Sequence, residues 1–218
     1  MKACIIGAGR SGIAAAQVLQ ARGIDFDCFE KGSQVGGNWR YENDNGMSSA
    51  YRSLHINTSR RVMAFKSLAM PENYPDYPDH FQMASYFDEV VDRYALRDRI
   101  RFRTEVLSVA PIEGGAGEWE VTVEGPDGRE TDIYGAVLIA NGHHWDARWP
   151  EPAFPGADRS RVSRSMPTNT ASRRCCAASV CWCWGSATPP STSRSSPRGS
   201  ARRPSSPPAA APGSCPST

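Results

Sequence analysis

Apolar residues cluster along the chain in a few recognisable patterns. Ala3 to Ile6 is an unbroken apolar run of four, which predicts a short strand buried on both faces. Ser11 to Arg22 is rich in Ala and Leu and is stopped by Gly23, which predicts a helix. "IDFDCFEK" predicts a second strand. From Lys31 the periodicity fades: "YENDNGMSSAYRSLHINTSRRVMAF" fits neither a helix nor a strand, and "PENYPDYPDHF" is broken up by Pro. Order returns in "FQMASYFDEVVDRYAL", where Ala84, Phe87, Val91 and Tyr94 form the core stripe of an amphipathic helix. "IRFRTEVLSVAP", "EWEVTVE" and "ETDIYGAVLIAN" read as strands, with "GPDG" as a hairpin turn between the last two.

The pattern stops near Asp158, and the charge changes with it. Residues 1–158 carry 16 basic against 23 acidic side chains, whereas residues 159–218 carry nine Arg and no acid. The net charge of +2 therefore averages two unlike pieces. Ser, Pro and Arg fill 33 of the last 60 positions, a composition that cannot bury enough apolar surface to fold. Two regions follow: a folded domain over 1–158 and an Arg/Ser/Pro-rich, disordered tail over 159–218. No stretch approaches the roughly 20 apolar residues of a membrane span, and the N-terminal apolar run is too short for an export signal. Of seven Cys, Cys4 and Cys28 lie in the predicted strands and read as buried thiols, so a reduced, cytoplasmic protein is expected.

Chemistry enters at the first strand-to-helix turn. Gly7, Gly9 and Gly12 give G-x-G-x-x-G. Gly7 permits the tight turn, Gly9 lets a diphosphate touch bare backbone, and Gly12 lets the helix lie on the strand. The helix N-terminus then aims N–H groups at the phosphate charge. Glu30, 18 residues after Gly12, ends the second strand, where an acid accepts both ribose hydroxyls and repels a 2′-phosphate. FAD or NAD is the expected ligand. A second glycine pair, Gly36 and Gly37, with Trp39 and a long loop behind it, suits the larger dinucleotide, FAD.

"IIGAGRSG", "FEKGSQVGGNWR", "HINTSRRVMAFKSLAMPENYPDYP" and "ANGHHWDARWPEPAFPG" occur in this order, and together they resemble the N-terminal part of the flavin-containing monooxygenases. Baeyer–Villiger monooxygenases share parts of the pattern. The resemblance implies an α/β fold: a Rossmann-like FAD-binding domain with a parallel sheet and a small β-meander. It assigns the FAD diphosphate to Gly7, Ala8, Gly9, Arg10 and Ser11, with Gly12 completing the motif, and the ribose to Glu30. Asn38 and Trp39 then flank the flavin side, with Asn57 and Thr58 beside the isoalloxazine. Lys31, Gly37, Ile56, Val106, Asn141 and Gly142 complete the implied cofactor-binding set, the meander returning Asn141 and Gly142 to the cofactor.

Asn57 is the implied catalytic residue, an amide facing both flavin and nicotinamide that donates and accepts hydrogen bonds without a charge. The implied reaction uses NADPH, O2 and a small-molecule substrate, oxygenating a soft nitrogen or sulfur through a C4a-hydroperoxyflavin. No metal is expected, because His143 and His144 lack Cys or acid partners at metal spacing and read as loop residues at the cofactor rim. Asn57-Thr58-Ser59 also fits a glycosylation acceptor, a reading with little weight in the absence of an export signal. A disulfide oxidoreductase would need a redox Cys pair, and residues 31–158 contain no Cys. The non-catalytic alternative is a flavin- or nucleotide-binding module whose basic tail contacts nucleic acid, a partner the frameshift reading below disfavours.

The tail contains "CWCWG" at Cys181 to Gly185. The code fixes its bases as TGY TGG TGY TGG GGN, and read one base earlier these encode Leu, Val, Leu and Gly. In that frame the surrounding codons permit "LVLGIGNSAVDIA", and upstream "HAHEYRVPEVLRGKRV". Both resemble the family's next segments, including its NADPH-binding glycine motif. The tail is therefore read as a frameshifted translation, slipping between about Gly156 and Ser165, so that the NADPH motif is not intact and the chain is inactive.

Overall fold

The computed structural model describes residues 2–115, 117–146, 148, 151–159, 163–165 and 181–183. The chain divides into residues 1–187 and 188–218, and the second unit lies wholly outside the described residues.

Strand β1 (Ala3–Ile6), helix α1 (Arg10–Ala21) and strand β2 (Phe26–Glu30) follow the predicted boundaries to within two residues. Gly23, at φ +66°, closes the turn after α1. The long aperiodic stretch holds a single 3-10 turn at Gly37–Trp39 and a short helix, α2 (Arg60–Met63). Helix α3 (His80–Arg93) begins in a capping box: the Asp79 carboxylate accepts from the Gln82 N–H, and the Gln82 side chain accepts from the Asp79 N–H. Ala84, Phe87 and Val91 of the expected stripe are buried, joined by Met83, Tyr86 and Val90.

Two of the predicted strands each divide between sheets. Residues 100–111 form β3 (Ile100–Phe102) and β4 (Glu105–Pro111), separated by Arg103 at φ +54°. The Arg103 N–H donates to Gly32 O and the Thr104 N–H to Glu30 O, so this switch is fastened beside the end of β2. Residues 128–139 form β6 (Gly128–Tyr134) and β7 (Ala136–Ile139), divided at Gly135, whose N–H donates to Lys2 O. Between them runs β5 (Trp119–Gly125), paired antiparallel with both β4 and β6, the 125–128 turn closing the hairpin.

A four-stranded parallel sheet in the order β3-β2-β1-β7 results, beside a three-stranded antiparallel sheet β4-β5-β6. The parallel sheet is covered on both faces, which is why β1 is apolar throughout. One face packs Ile5, Phe26 and Cys28 against Ile13 and Ala16 of α1 and Met83, Phe87 and Val90 of α3. The other packs Cys4 and Phe29 against Val121, Val123 and Tyr134 of the antiparallel sheet. The Tyr134 hydroxyl donates to the Asp27 carboxylate at 2.7 Å, so the ring is buried with its polar end satisfied.

In the expected tail, the description is confined to Arg159, whose N–H donates to Gly156 O, and to the backbone of β8 (Ser163–Ser165) and β9 (Cys181–Cys183), which pair in parallel. The remaining tail residues lie outside the described residues, and the slip expected between Gly156 and Ser165 lies partly there.

Candidate functional site

The parallel strands β1, β2 and β7 end together, and the glycine turn leaves from that edge. Gly7 takes φ +99°, and its N–H donates to Phe29 O at 2.7 Å. A Cβ on Gly7 would lie 2.7 Å from Ala140 O, so the turn passes hard against the end of β7. A Cβ on Gly12 would lie 1.8 Å from Gly7 O, so only a bare backbone lets α1 begin there. Gly9 differs: its Cβ would meet nothing nearer than Gly37 Cα at 3.8 Å. Packing inside the protein thus requires Gly7 and Gly12, while Gly9 leaves room for something outside it.

The N-terminus of α1 is open to an anion. Gly9 provides no side-chain cap, and no acid stands in the first turn. The first-turn N–H groups have no partner within the helix and carry its partial positive charge.

Glu30 points at this turn. Its carboxylate accepts from the Ala8 N–H at 2.7 Å, the Gly32 N–H at 2.8 Å and the Asn45 amide at 3.4 Å, and the residue is only 4% exposed. These bonds use three of about four acceptor positions, leaving capacity for a ribose hydroxyl. Bare backbone at Gly9, an uncapped helix N-terminus and an adjoining carboxylate fit the adenosine diphosphate half of FAD.

The second glycine pair packs directly on the first motif. The Gly36 N–H donates to Ala8 O at 3.0 Å, and Gly36 and Gly37 take φ of +113° and +53°. A Cβ on Gly37 would come within 3.1 Å of Gly9 Cα. This turn is held from below by Arg40, whose Nε donates to Val35 O and whose Nη2 meets the Asp88 carboxylate of α3 at 2.6 Å. Arg40, Asp88 and Asn45 escaped the sequence reading. Their roles depend on partners 5 to 48 residues away, and no local spacing announces them.

The other expected residues fall into two groups. Asn141 and Gly142 follow the end of β7, with Asn141 Cα 3.4 Å from the Cβ position of Gly7. Ile56 is buried, its N–H donating to Pro78 O. Asn38 uses its side-chain oxygen on the Ser49 N–H and hydroxyl, and Trp39 packs half-buried on the main core. The Arg10 guanidinium turns from the cradle to donate to Met63 O and lies over the Phe65 ring. Lys31 pairs with Glu105 at 2.7 Å, and Val106 packs with the second core cluster. Asn57 and Thr58 are exposed in a bend before α2, rather than buried.

Among the described residues the other titratable groups give no rival centre. Burial pushes the Cys4 thiol up to about 12 and raises that of Cys28, so neither is a reactive thiolate at neutral pH. His143 and His144 are exposed, their ring centroids 4.0 Å apart and tilted, and partial desolvation followed by the neighbouring His143 lowers the pKa of His144. Among the described residues no three His, Cys, Asp or Glu converge as a metal site, and no helix is long and apolar enough to cross a membrane.

Known proteins agree with this arrangement. The profile described as flavin-binding monooxygenase-like matches residues 1–165. Flavin-containing monooxygenase 5 of Mus musculus is 35% identical over 159 residues, covering 71% of this chain and 30% of its own. Dimethylaniline monooxygenase [N-oxide-forming] 2 of Mus musculus is 32% identical over 164 residues, 73% of this chain and 31% of its own. Among solved structures, S-allyl-L-cysteine S-oxygenase from Allium sativum superposes with a TM-score of 0.68 at 28% identity, covering 77% of this chain and 42% of that one. The chain spans about 30% of the length of the curated relatives it matches. A glycine cradle, its adjoining carboxylate and a profile matched over residues 1–165 identify the chain as a member of the flavin-binding monooxygenase-like family of enzymes.

Proposed function

We propose that the chain is the FAD-binding part of an FAD- and NADPH-dependent monooxygenase that transfers one oxygen atom of O2 to a soft nitrogen or sulfur of a small molecule. The observation that carries this reading is Glu30 bonded to the Ala8 N–H beside Gly9, whose Cβ position is free of close contacts. The diphosphate lies against Gly7 to Gly12 and is held by the backbone N–H groups from Gly9 onward, those of Gly7 and Ala8 being bonded to Phe29 O and Glu30, and Glu30 orients the ribose. Gly37 closes over the diphosphate, and Lys31, Val106, Asn141 and Gly142 border the adenosine side. Asn38 and Trp39 flank the flavin, with Ile56, Asn57 and Thr58 along the isoalloxazine. When bound, FAD supplies hydride acceptance and oxygen activation, while the protein holds it and excludes water. Asn57 contributes an uncharged donor and acceptor beside the reacting ring.

The same reading puts the folded boundary near Asp158 and takes residues 159–218 as translated out of frame. The second glycine motif is recovered only in the other frame, so this polypeptide binds FAD but does not accept electrons from NADPH. The inert thiols suit a cytoplasmic location. The test is an FAD titration followed by anaerobic NADPH. The expected result is a yellow complex that NADPH does not bleach. A protein that takes up no FAD overturns the cofactor assignment, whereas bleaching by NADPH overturns the frameshift. Coding DNA around Gly156 to Ser165 with no family-like second frame would overturn the frameshift independently.

A further inference from the structure

His80 is the first residue of α3 and is fully buried. Its Nε2 lies 3.2 Å from Arg52 O, where only a protonated nitrogen makes a hydrogen bond. Its Nδ1 is buried with no hydrogen-bond partner among the described residues. The ring is therefore neutral, donating through Nε2 and leaving Nδ1 as a bare acceptor. Tyr41 and Phe81 close around it, with ring centroids 5.1 and 4.0 Å away.

The backbone around His80 is equally engaged. Its N–H donates to Leu54 O, the Ile56 N–H to Pro78 O, and the Arg60 N–H to Asp76 O. His55 and Asp79 form an antiparallel bridge. Residues 54–60 thus lie along residues 76–80 as a short two-stranded ladder, with Asn57 and Thr58 between its anchors. The His80 ring adds a side-chain rung at Arg52, one step beyond the end of this ladder.

We propose that His80 is a positioning residue for the flavin-side loop, holding residues 52–58 in place only while its ring is uncharged. The inference rests on the reading that Asn57 and Thr58 lie along the isoalloxazine. A second proton would sit on Nδ1, which is buried and has no hydrogen-bond partner among the described residues. The groups around the ring divide. The Asp79 carboxylate favours the charged form but is committed to the Gln82 N–H, while His55 opposes it. Tyr41 presents its ring, and the Arg52 carbonyl, which accepts from Nε2 in either protonation state, also favours the charged form. Burial is the largest influence and holds the pKa of His80 below its ordinary 6.5. The unfolded chain or the open loop then binds the proton more readily than the latched loop does. The latch is accordingly complete above the ordinary histidine value and is lost as pH falls below it, through the lowered folded value.

The experiment compares FAD with ADP on the full chain between about pH 7.5 and pH 5, the range over which a histidine titrates. ADP carries the adenosine diphosphate half and does not reach residues 52–58. Wild-type affinity for FAD is expected to fall about tenfold over this range, while affinity for ADP changes less than about twofold. His80→Gln keeps a neutral donor for Arg52 O. It is expected to bind FAD within about threefold of wild type at neutral pH and to lose the pH dependence. Hydrogen exchange on the unmodified protein gives a second measurement. After correction for intrinsic rates, the Ile56 and His80 amides are expected to exchange faster at the acidic end, and the α1 amides are not. FAD affinity that falls no more than ADP affinity, a His80→Gln variant that keeps the dependence, or unchanged exchange at Ile56 each overturns the proposal. Failure of both FAD and ADP to bind at neutral pH overturns the dinucleotide reading beneath it.

Discussion

The two ends of the proposed cofactor path are built differently. At the adenosine end, three hydrogen-bond donors converge on a Glu30 that is 4% exposed, and Gly36 is tied to Ala8 by a 3.0 Å backbone bond. At the flavin end, Asn57 and Thr58 are exposed in a bend. The adenosine end is preorganised by hydrogen bonds among the turns that follow β1 and β2 and the Glu30 carboxylate, so binding there costs little ordering. The flavin end hangs on a loop fastened by residues 76–80 and needs further cover to become a closed site. An anchor on rigid strands and chemistry on a loop is a common division of labour, because loops tolerate variation that strands do not.

The contrast can be broken most severely at Gly12. Gly12→Ala would place a methyl 1.8 Å from Gly7 O, and overpacking against backbone is expected to cost about 3 kcal/mol, read as a lowered thermal midpoint. A variant as stable as wild type would show that the turn is not wedged as described. Next comes Glu30→Ala, which strands the Ala8 and Gly32 N–H groups and removes the ribose acceptor. Losing charge-assisted bonds of this kind costs about 2–3 kcal/mol, so FAD affinity is expected to drop roughly 100-fold by fluorescence titration. Unaltered affinity would remove Glu30 from the site.

Gly9→Ala sharpens the comparison, since the protein has room for the methyl and the diphosphate does not. Thermal stability is expected to stay within about 0.5 kcal/mol of wild type while FAD affinity falls at least about tenfold. If both measurements move together, Gly9 is a structural glycine like Gly12. The smallest effect belongs to Asn57→Ala. An exposed side chain on the loop is expected to change stability by less than about 0.5 kcal/mol, with a shift of the bound-flavin absorption band as its main signature. A band identical to wild type would place Asn57 away from the flavin.

Much of the adenosine end was legible in the sequence. G-x-G-x-x-G and the acid 18 residues later depend on local turn geometry and on strand ends brought together by one crossover, so their spacing carries the information. The Asp79 capping box is likewise local, although it was not anticipated. The strand divisions at Arg103 and Gly135 were not legible. Each sits inside a continuous strand-like run, and what divides it is a bond to Gly32 or Lys2, far off in the chain. The same holds for Arg40 and Asp88, which meet across 48 residues, and for His80, an unremarkable polar residue after a Pro-rich stretch until its burial is known.

The order of short-range signals by itself determined an α/β domain opening with a dinucleotide turn, because glycine freedom, apolar runs and helix stops act within a few residues. Only the tertiary structure decided which glycine is wedged and which is open, where two strand-like runs change sheet, and that the Asn57 loop leans on His80. Those outcomes depend on hydrogen bonds and steric contacts between segments distant in the chain. Such contacts exist only once the two sheets and the helices α1 and α3 have packed.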